Sequence, residues 1–154
     1  MNEQLMYDPT GVALTKAAEG ERLTAYQDPK GVWTIGIGHT GQDVHEGLVI
    51  TEAQSMALLL EDLTTAEQAV YDLVTIALTQ NQFDGLVDFV FNEGRGHFAG
   101  STLLRKLNSG DFEGAAEEFM KWDICGGKVL SALVTRRKLE SNLFRKPANA
   151  LPSS

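Results

Sequence analysis

The chain has 154 residues and a mass of 16.8 kDa, with 43% hydrophobic and 22% charged residues. That balance suits one domain with a real core and excludes a disordered or fibrous chain. Thirteen Lys and Arg against 21 Asp and Glu leave a net charge of −8, which argues against nucleic acid as a partner, because counterion release needs clustered basic residues. The charge is divided, however: residues 1–120 carry −13 and residues 121–154 carry +5.

The single cysteine, Cys125, cannot close an internal disulfide, so the chain is compatible with a reducing compartment. The opening MNEQLMYDPTGVALTKAAEG has no basic segment followed by an apolar run of about 7 to 15 residues, the signature of an export signal. No stretch approaches the roughly 18 apolar residues of a transmembrane helix. The sequence therefore predicts neither a self-export signal nor an integral membrane segment.

Asp8-Pro9-Thr10 supplies helix-start chemistry, and Val12, Ala13, Leu14, Ala17 and Ala18 follow at helical spacing up to Gly20. Between Leu23 and His39 the strand formers Tyr26, Val32, Trp33, Ile35 and Ile37 flank the turn signal Asp28-Pro29-Lys30-Gly31, which predicts a small β-hairpin region. Thr51-Glu52-Ala53-Gln54 reads as a capping box. The apolar series Met56, Leu59, Leu60, Leu63, Ala66, Val70 and Leu73 then predicts a long helix. Thr79 to Gln82 repeats the box before Phe83, Leu86, Val87, Val90 and Phe91, a core helix that ends at Gly94-Arg95-Gly96. Further helices are expected at Ser101 to Leu107, Asp111 to Met120 and Lys128 to Phe144, with Asn108-Ser109-Gly110 and Gly126-Gly127 as breaks.

The expected fold class is α+β, mainly α: a small sheet lobe and a larger helical lobe flanking a cleft. Within a single domain spanning 1–154, residues 10–50 form the helix and β lobe, 51–78 the connecting helix, 79–145 the helical lobe and 146–154 a loose tail.

The densest candidate chemistry lies in EGERLTAYQDPKGVWTIGIGH, Glu19 to His39. Glu19 stands at the end of an apolar helix, where desolvation raises a carboxyl pKa and suits it to act as a general acid. Asp28 stands in a polar turn, where a carboxylate stays ionised. Two carboxyls pushed apart in proton affinity are the usual pair for cleaving a glycosidic bond. Glu21, two residues from Glu19, falls on another helix face and is expected at the surface.

A Glu, eight intervening residues, an Asp, five intervening residues and a Thr lead into Gly36-Ile37-Gly38-His39. With Phe91-Asn92-Glu93-Gly94, Phe98-Ala99-Gly100-Ser101-Thr102-Leu103-Leu104, and Trp122-Asp123 to Arg136-Arg137-Lys138-Leu139-Glu140, this pattern resembles the phage-type lysozymes, or endolysins, of glycoside hydrolase family twenty-four. The likeness covers roughly residues 10 to 145. It implies a lysozyme-like fold and hydrolysis of the β-1,4 bond between N-acetylmuramic acid and N-acetylglucosamine in peptidoglycan. Glu19 would protonate the leaving oxygen, Asp28 would position or deprotonate water, and the Thr34 hydroxyl would hold that water, an inverting arrangement.

The resemblance further implies substrate contacts at Thr40, Phe91, Asn92 and Ser101. Phe91 is equally readable as core. Arg136 falls where the family pairs an Arg with the catalytic Glu, and it is also readable as part of a solvated basic face with Arg137 and Lys138. Glu118 stands where an amide contact is expected. The histidines His39, His45 and His97 are too scattered for a metal site, and His39 reads as a buried hydrogen-bonding residue. Gly36-Ile37-Gly38 reads as a strand closely approached by another backbone rather than as a phosphate loop. Cys125 has no evident His partner and is not read as a nucleophile.

No cofactor and no metal are expected. The expected partner is peptidoglycan, reached as a monomer made in the host cytoplasm and released to the periplasm by a holin. The +5 segment, with Lys128, Arg136, Arg137, Lys138, Arg145 and Lys146, is a candidate face towards anionic glycan. A lytic transglycosylase and a non-catalytic glycan-binding module are the alternatives.

Overall fold

The computed structural model describes residues 1–148. Most of the expected loose tail lies outside the described residues. At its start, the carbonyls of Lys146 and Pro147 accept hydrogen bonds from Asn81 Nδ2 at 3.3 and 3.1 Å.

Helix α1 spans Pro9–Glu19, with Asp8 accepting from the amides of Thr10 and Gly11 and Gly20 ending it at φ +69°. The proline at its start fits the position where no amide is required, and the stop makes Glu19 the last helical residue. Strands β1 (Arg22–Gln27), β2 (Trp33–Gly36) and β3 (His39–Thr40) form an antiparallel sheet in that order. The third strand adds to the expected hairpin, and Thr24 bridges to Val49 at its edge.

Helix α2, Glu52–Leu73, leads from the sheet into the helical lobe, and α3, Gln80–Glu93, follows. Both begin with the expected capping boxes, at Thr51/Gln54 and Thr79/Gln82, each closing two otherwise orphaned amides. Every residue of α3 from Phe83 to Val90 is buried. This helix is therefore wrapped on all sides, by α2 and by α7, Ser131–Arg145. At Gly85 the approach is closest: a Cβ there would lie 2.9 Å from the Glu140 carbonyl oxygen, so only glycine fits.

The core joins Ile37, in the turn between β2 and β3, to Leu59, Leu63 and Val70 of α2. It continues through Phe83, Leu86 and Phe89 of α3 to α5 (Thr102–Asn108) and α6 (Phe112–Glu118). Phe89 sits at its centre, edge-on to Phe98, Phe119 and Trp122. Asn2 ties down the N-terminus, donating to Ile76 O at 2.8 Å and accepting from Leu78 N at 2.9 Å.

Three details differ from the sequence expectation. Gly94 ends α3 but also begins a short helix, α4 (Arg95–Ala99). The helix expected to reach Met120 stops at Glu118 and tightens into a 3-10 turn over Phe119–Lys121. The Gly126-Gly127 break is the turn of a hairpin, β4 (Ile124–Cys125) with β5 (Lys128–Val129), so α7 starts at Ser131 rather than Lys128. Both glycines have positive φ, +58° and +80°, the geometry a two-residue hairpin turn demands.

Candidate active site

Glu19 reaches from the end of α1 to the helical lobe, where Arg136 Nη1 of α7 donates to its Oε1 at 2.5 Å. Arg136 is itself fixed: its Nε and Nη2 donate to Asp88 Oδ2 and Oδ1 of α3, each at 2.9 Å. Asp88 Oδ1 also accepts from Thr15 Oγ1 at 2.7 Å, and Thr15 meets Tyr7 Oη at 2.7 Å. Burial opposes the charge on Asp88, but Arg136 outweighs it and holds the carboxyl down at about 2. A forked guanidinium on a buried carboxylate is a strong and directional pair. Arg136 is 5% exposed, which removes the reading of a solvated basic face.

On the sheet side Gly38 makes room for the same carboxyl. It turns between β2 and β3 at φ +71°, and a Cβ there would lie 2.6 Å from Glu19 Oε2. The close approach expected at Gly36-Ile37-Gly38 is thus made by the Glu19 side chain rather than by another backbone.

Asp28 is held locally. Its Oδ1 accepts from the amides of Lys30 at 2.8 Å and Val32 at 2.9 Å, and its own backbone pairs with Val32 O and Gly31 N. The turn thus uses Oδ1. Oδ2 has no hydrogen-bond donor among the described residues. Thr34 lies opposite Tyr26 on β1 and Thr40 on β3, so the three side chains share one face of the sheet. Thr34 Oγ1 donates to the Val32 carbonyl at 2.9 Å, which leaves its lone pairs to accept. Arg22 lies over the Tyr26 ring, 4.3 Å from its centroid.

The cleft between sheet and helices has a volume of about 220 Å³ and is lined by Gly38, Thr40, Asp62, Val90, Phe91 and Arg95, among others. Gly38, against which Glu19 packs, is one of its walls. Thr40 and Phe91, two of the expected substrate contacts, line this cleft, Phe91 while also packing on the core. Asn92 and Ser101 do not line this cleft. Asn92 Oδ1 accepts from Arg137. Ser101 is buried and spends its hydroxyl as the cap of α5, accepting from Leu104 N at 3.1 Å and donating to Phe98 O at 2.7 Å. Glu118, buried, bridges Lys106 and Lys121 at 2.9 and 2.8 Å.

His39 is buried as expected, with Nδ1 2.7 Å from Asp62 and Nε2 2.9 Å from Asp43. Burial disfavours its charged form, but the two carboxylates prevail and raise its pKa. Glu21 is exposed.

The phage lysozyme family model matches residues 16–140. The chain belongs to the phage lysozyme family. It is 45% identical over 138 residues to the endolysin of Salmonella phage P22, covering 87% of this chain and 94% of that protein. It is 39% identical over 134 residues to the SAR-endolysin of bacteriophage PS119, covering 87% and 80%. The muramidase domain of SpmX from Asticaccaulis excentricus superposes with a TM-score of 0.84 at 41% identity, covering 93% of this chain and 99% of that one. As a phage lysozyme the protein is a glycoside hydrolase, an endolysin that degrades host-wall peptidoglycan.

Within this lysozyme the basic C-terminal segment is not one face. Arg136 and Arg137 are buried in ion pairs, and Arg145 pairs with Glu113 at 2.6 Å. Lys128, Lys138 and Lys146 remain exposed. Sequence reasoning gives Asp88 and Glu140 no role and reads Arg137 as part of a basic face. Their signal was present, in two aspartates on an apolar helix and a Glu on the same face as Arg136 and Arg137, one helical turn away.

Proposed function

We propose that this phage lysozyme hydrolyses the β-1,4 bond between N-acetylmuramic acid and N-acetylglucosamine, with Glu19 as general acid. The observation that carries the reading is the clamp on Glu19: Arg136 on one side, and on the other Gly38, which is itself a wall of the cleft. A carboxyl fixed in this way keeps one oxygen directed at the place where a glycosidic oxygen would lie, and orientation is a large part of acid catalysis.

Asp28 presents Oδ2 to water while the turn holds Oδ1. Thr34 accepts from the same water, since its own proton goes to Val32. The water oxygen then attacks the anomeric carbon as Asp28 Oδ2 takes a proton from it and Glu19 protonates the leaving oxygen, and the configuration inverts. Thr40 and Phe91 offer the glycan a hydroxyl and an aromatic face, and Asn92 offers its amide nitrogen. Arg136 is a positioning residue. The protein works as a monomer and reaches the periplasm from the host cytoplasm with a holin, although relatives include proteins named SAR-endolysins.

Digestion of purified peptidoglycan in heavy-oxygen water, with the anomeric configuration read at once, tests the reaction. Label in a new reducing end of inverted configuration is expected. Products ending in 1,6-anhydro sugar would mean a lytic transglycosylase, and label with retained configuration would make Asp28 a nucleophile. Lysis by the expressed protein in cells lacking any holin would overturn the export route.

A further inference from the structure

Behind the Glu19 clamp lies a carboxyl group for which the reaction above has no use. Glu140, on α7, is fully buried, and so is Arg137 beside it. Glu140 Oε1 accepts from Arg137 Nη1 at 2.5 Å, while Oε2 lies 3.9 Å from Arg136 Nε and has no hydrogen-bond donor. An ionised carboxylate oxygen left so in the interior would be costly.

The charges facing Glu140 are arranged in three shells of contact. On its own helix are Arg136 and Arg137. From α3 come Asp88 and, through Arg137, Asn92 and Glu93 at 3.2 Å from the guanidinium. From α1 comes Glu19, through Arg136. Four ionised acids against two arginines would leave two uncompensated negative charges, with Glu19 and Glu93 only partly buried, and one bound proton halves that excess. Asp88 Oδ2 and Glu140 Oε2 both lie against Arg136 Nε, at 2.9 and 3.9 Å, and two carboxyls set beside one nitrogen can share a hydrogen bond only if one of them carries the proton. Burial raises the Glu140 pKa well above its ordinary value and the neighbouring Asp88 raises it further, whereas Asp88 is held low by Arg136. The proton therefore belongs to Glu140.

We propose that Glu140 is a positioning residue for the proton donor: as a neutral carboxylic acid it donates its Oε2 proton to Asp88, which fixes Asp88 under Arg136 and so holds Arg136 against Glu19. Glu140 also accepts from Arg137 through Oε1, so one side chain braces both arginines. The proposal rests on Glu19 being the general acid.

The test is made on the full chain with labelled carboxyl carbons and the variants E140Q and E140A. The Glu140 resonance is expected to stay in its protonated form through neutral pH. E140A is expected to lower kcat about tenfold or more with little change in KM, as small misplacements of a catalytic group do, and to displace the alkaline limb of the pH–rate profile. A glutamine reproduces the neutral acid, with an N–H towards Asp88 and an oxygen towards Arg137, so E140Q is expected to restore most of the kcat lost in E140A.

An ionised Glu140 resonance at neutral pH overturns the proposal, as does an E140Q as slow as E140A, or an E140A with the parent kcat and pH profile. Should either variant fail to fold, the resonance of the unaltered protein still decides the proton. Activity in E19Q would instead sink the general-acid reading, and the Glu140 resonance would be unaffected by that result.

Discussion

The two carboxyls proposed for the reaction are supported in opposite ways. Asp28 is positioned by amides within four residues of itself, in an exposed turn. Glu19 is positioned by Arg136, 117 residues away in sequence, and through it by Asp88, Thr15 and Tyr7. The first needs only a turn of the right residues, and stays formed as long as that turn does. The second depends on α1, α3 and α7 packing together. Asp28, the proposed water-positioning group, therefore sits in a solvated local turn, whereas Glu19, the proposed proton donor, is tied to the core of the helical lobe.

The comparison breaks most sharply at Glu19 itself. Glu19→Gln keeps the shape and a hydrogen-bond acceptor for Arg136 but removes the proton, so wall-hydrolysis rate is expected to fall about 10²- to 10⁴-fold with the melting curve nearly unchanged. Retained activity would leave the clamp without a catalytic purpose.

Arg136→Met comes next. It strands the buried Asp88 carboxylate, and losing one partner of a buried pair costs about 3 to 5 kcal/mol. Urea unfolding should register that loss, and hydrolysis should fail with it. A stability within about 1 kcal/mol of the parent would mean that Asp88 is held by Thr15 and Glu140 alone.

Asp28→Ala should cost far less stability, about 1 kcal/mol for each of two exposed turn hydrogen bonds at most, yet abolish most activity. Asp28→Asn, which retains the turn acceptor, should unfold like the parent and still be slow. If Asp28→Ala destabilised as much as Arg136→Met, the contrast between local and long-range support would collapse.

The smallest expected effect lies at His39, where the sheet meets α2. Its pKa is raised in the folded protein, so protonation favours the fold. The stabilisation is complete below the unfolded value of about 6.5 and fades as the pH rises through the higher folded value. Melting of His39→Gln and the parent should therefore differ at pH 5 and converge at alkaline pH. A gap that widens with pH would reverse the assignment.

Much of this was legible in the chain itself. Capping boxes at Thr51 and Thr79, the Pro start and Gly stop of α1 and the apolar spacing of α2 and α3 are local features, and the structure carries them where the sequence puts them. The spacing from Glu19 to His39 was equally legible, since a helix end, an Asx turn and a strand follow one another without any long-range requirement. The hairpin at Gly126-Gly127 was misread because two glycines break a helix and turn a hairpin with equal ease, and only pairing of the flanking residues separates the two. Ser101 read as a substrate contact, but it is buried, and its hydroxyl caps α5 and donates to Phe98 O.

The opening charge division shows where sequence stops. Counting determined that residues 121–154 are basic and residues 1–120 acidic, and periodicity determined that Arg136 and Arg137 lie on a helix. Whether those arginines face water or the interior depends on what packs against α7, and a count carries no such information. The tertiary structure decided it: α3 brings Asp88, and α1 brings Glu19, to meet them in the core. Charges that would be worth little in solvent become the scaffold that holds the Glu19 carboxyl, because away from water an ion pair must be fully matched and its geometry is fixed.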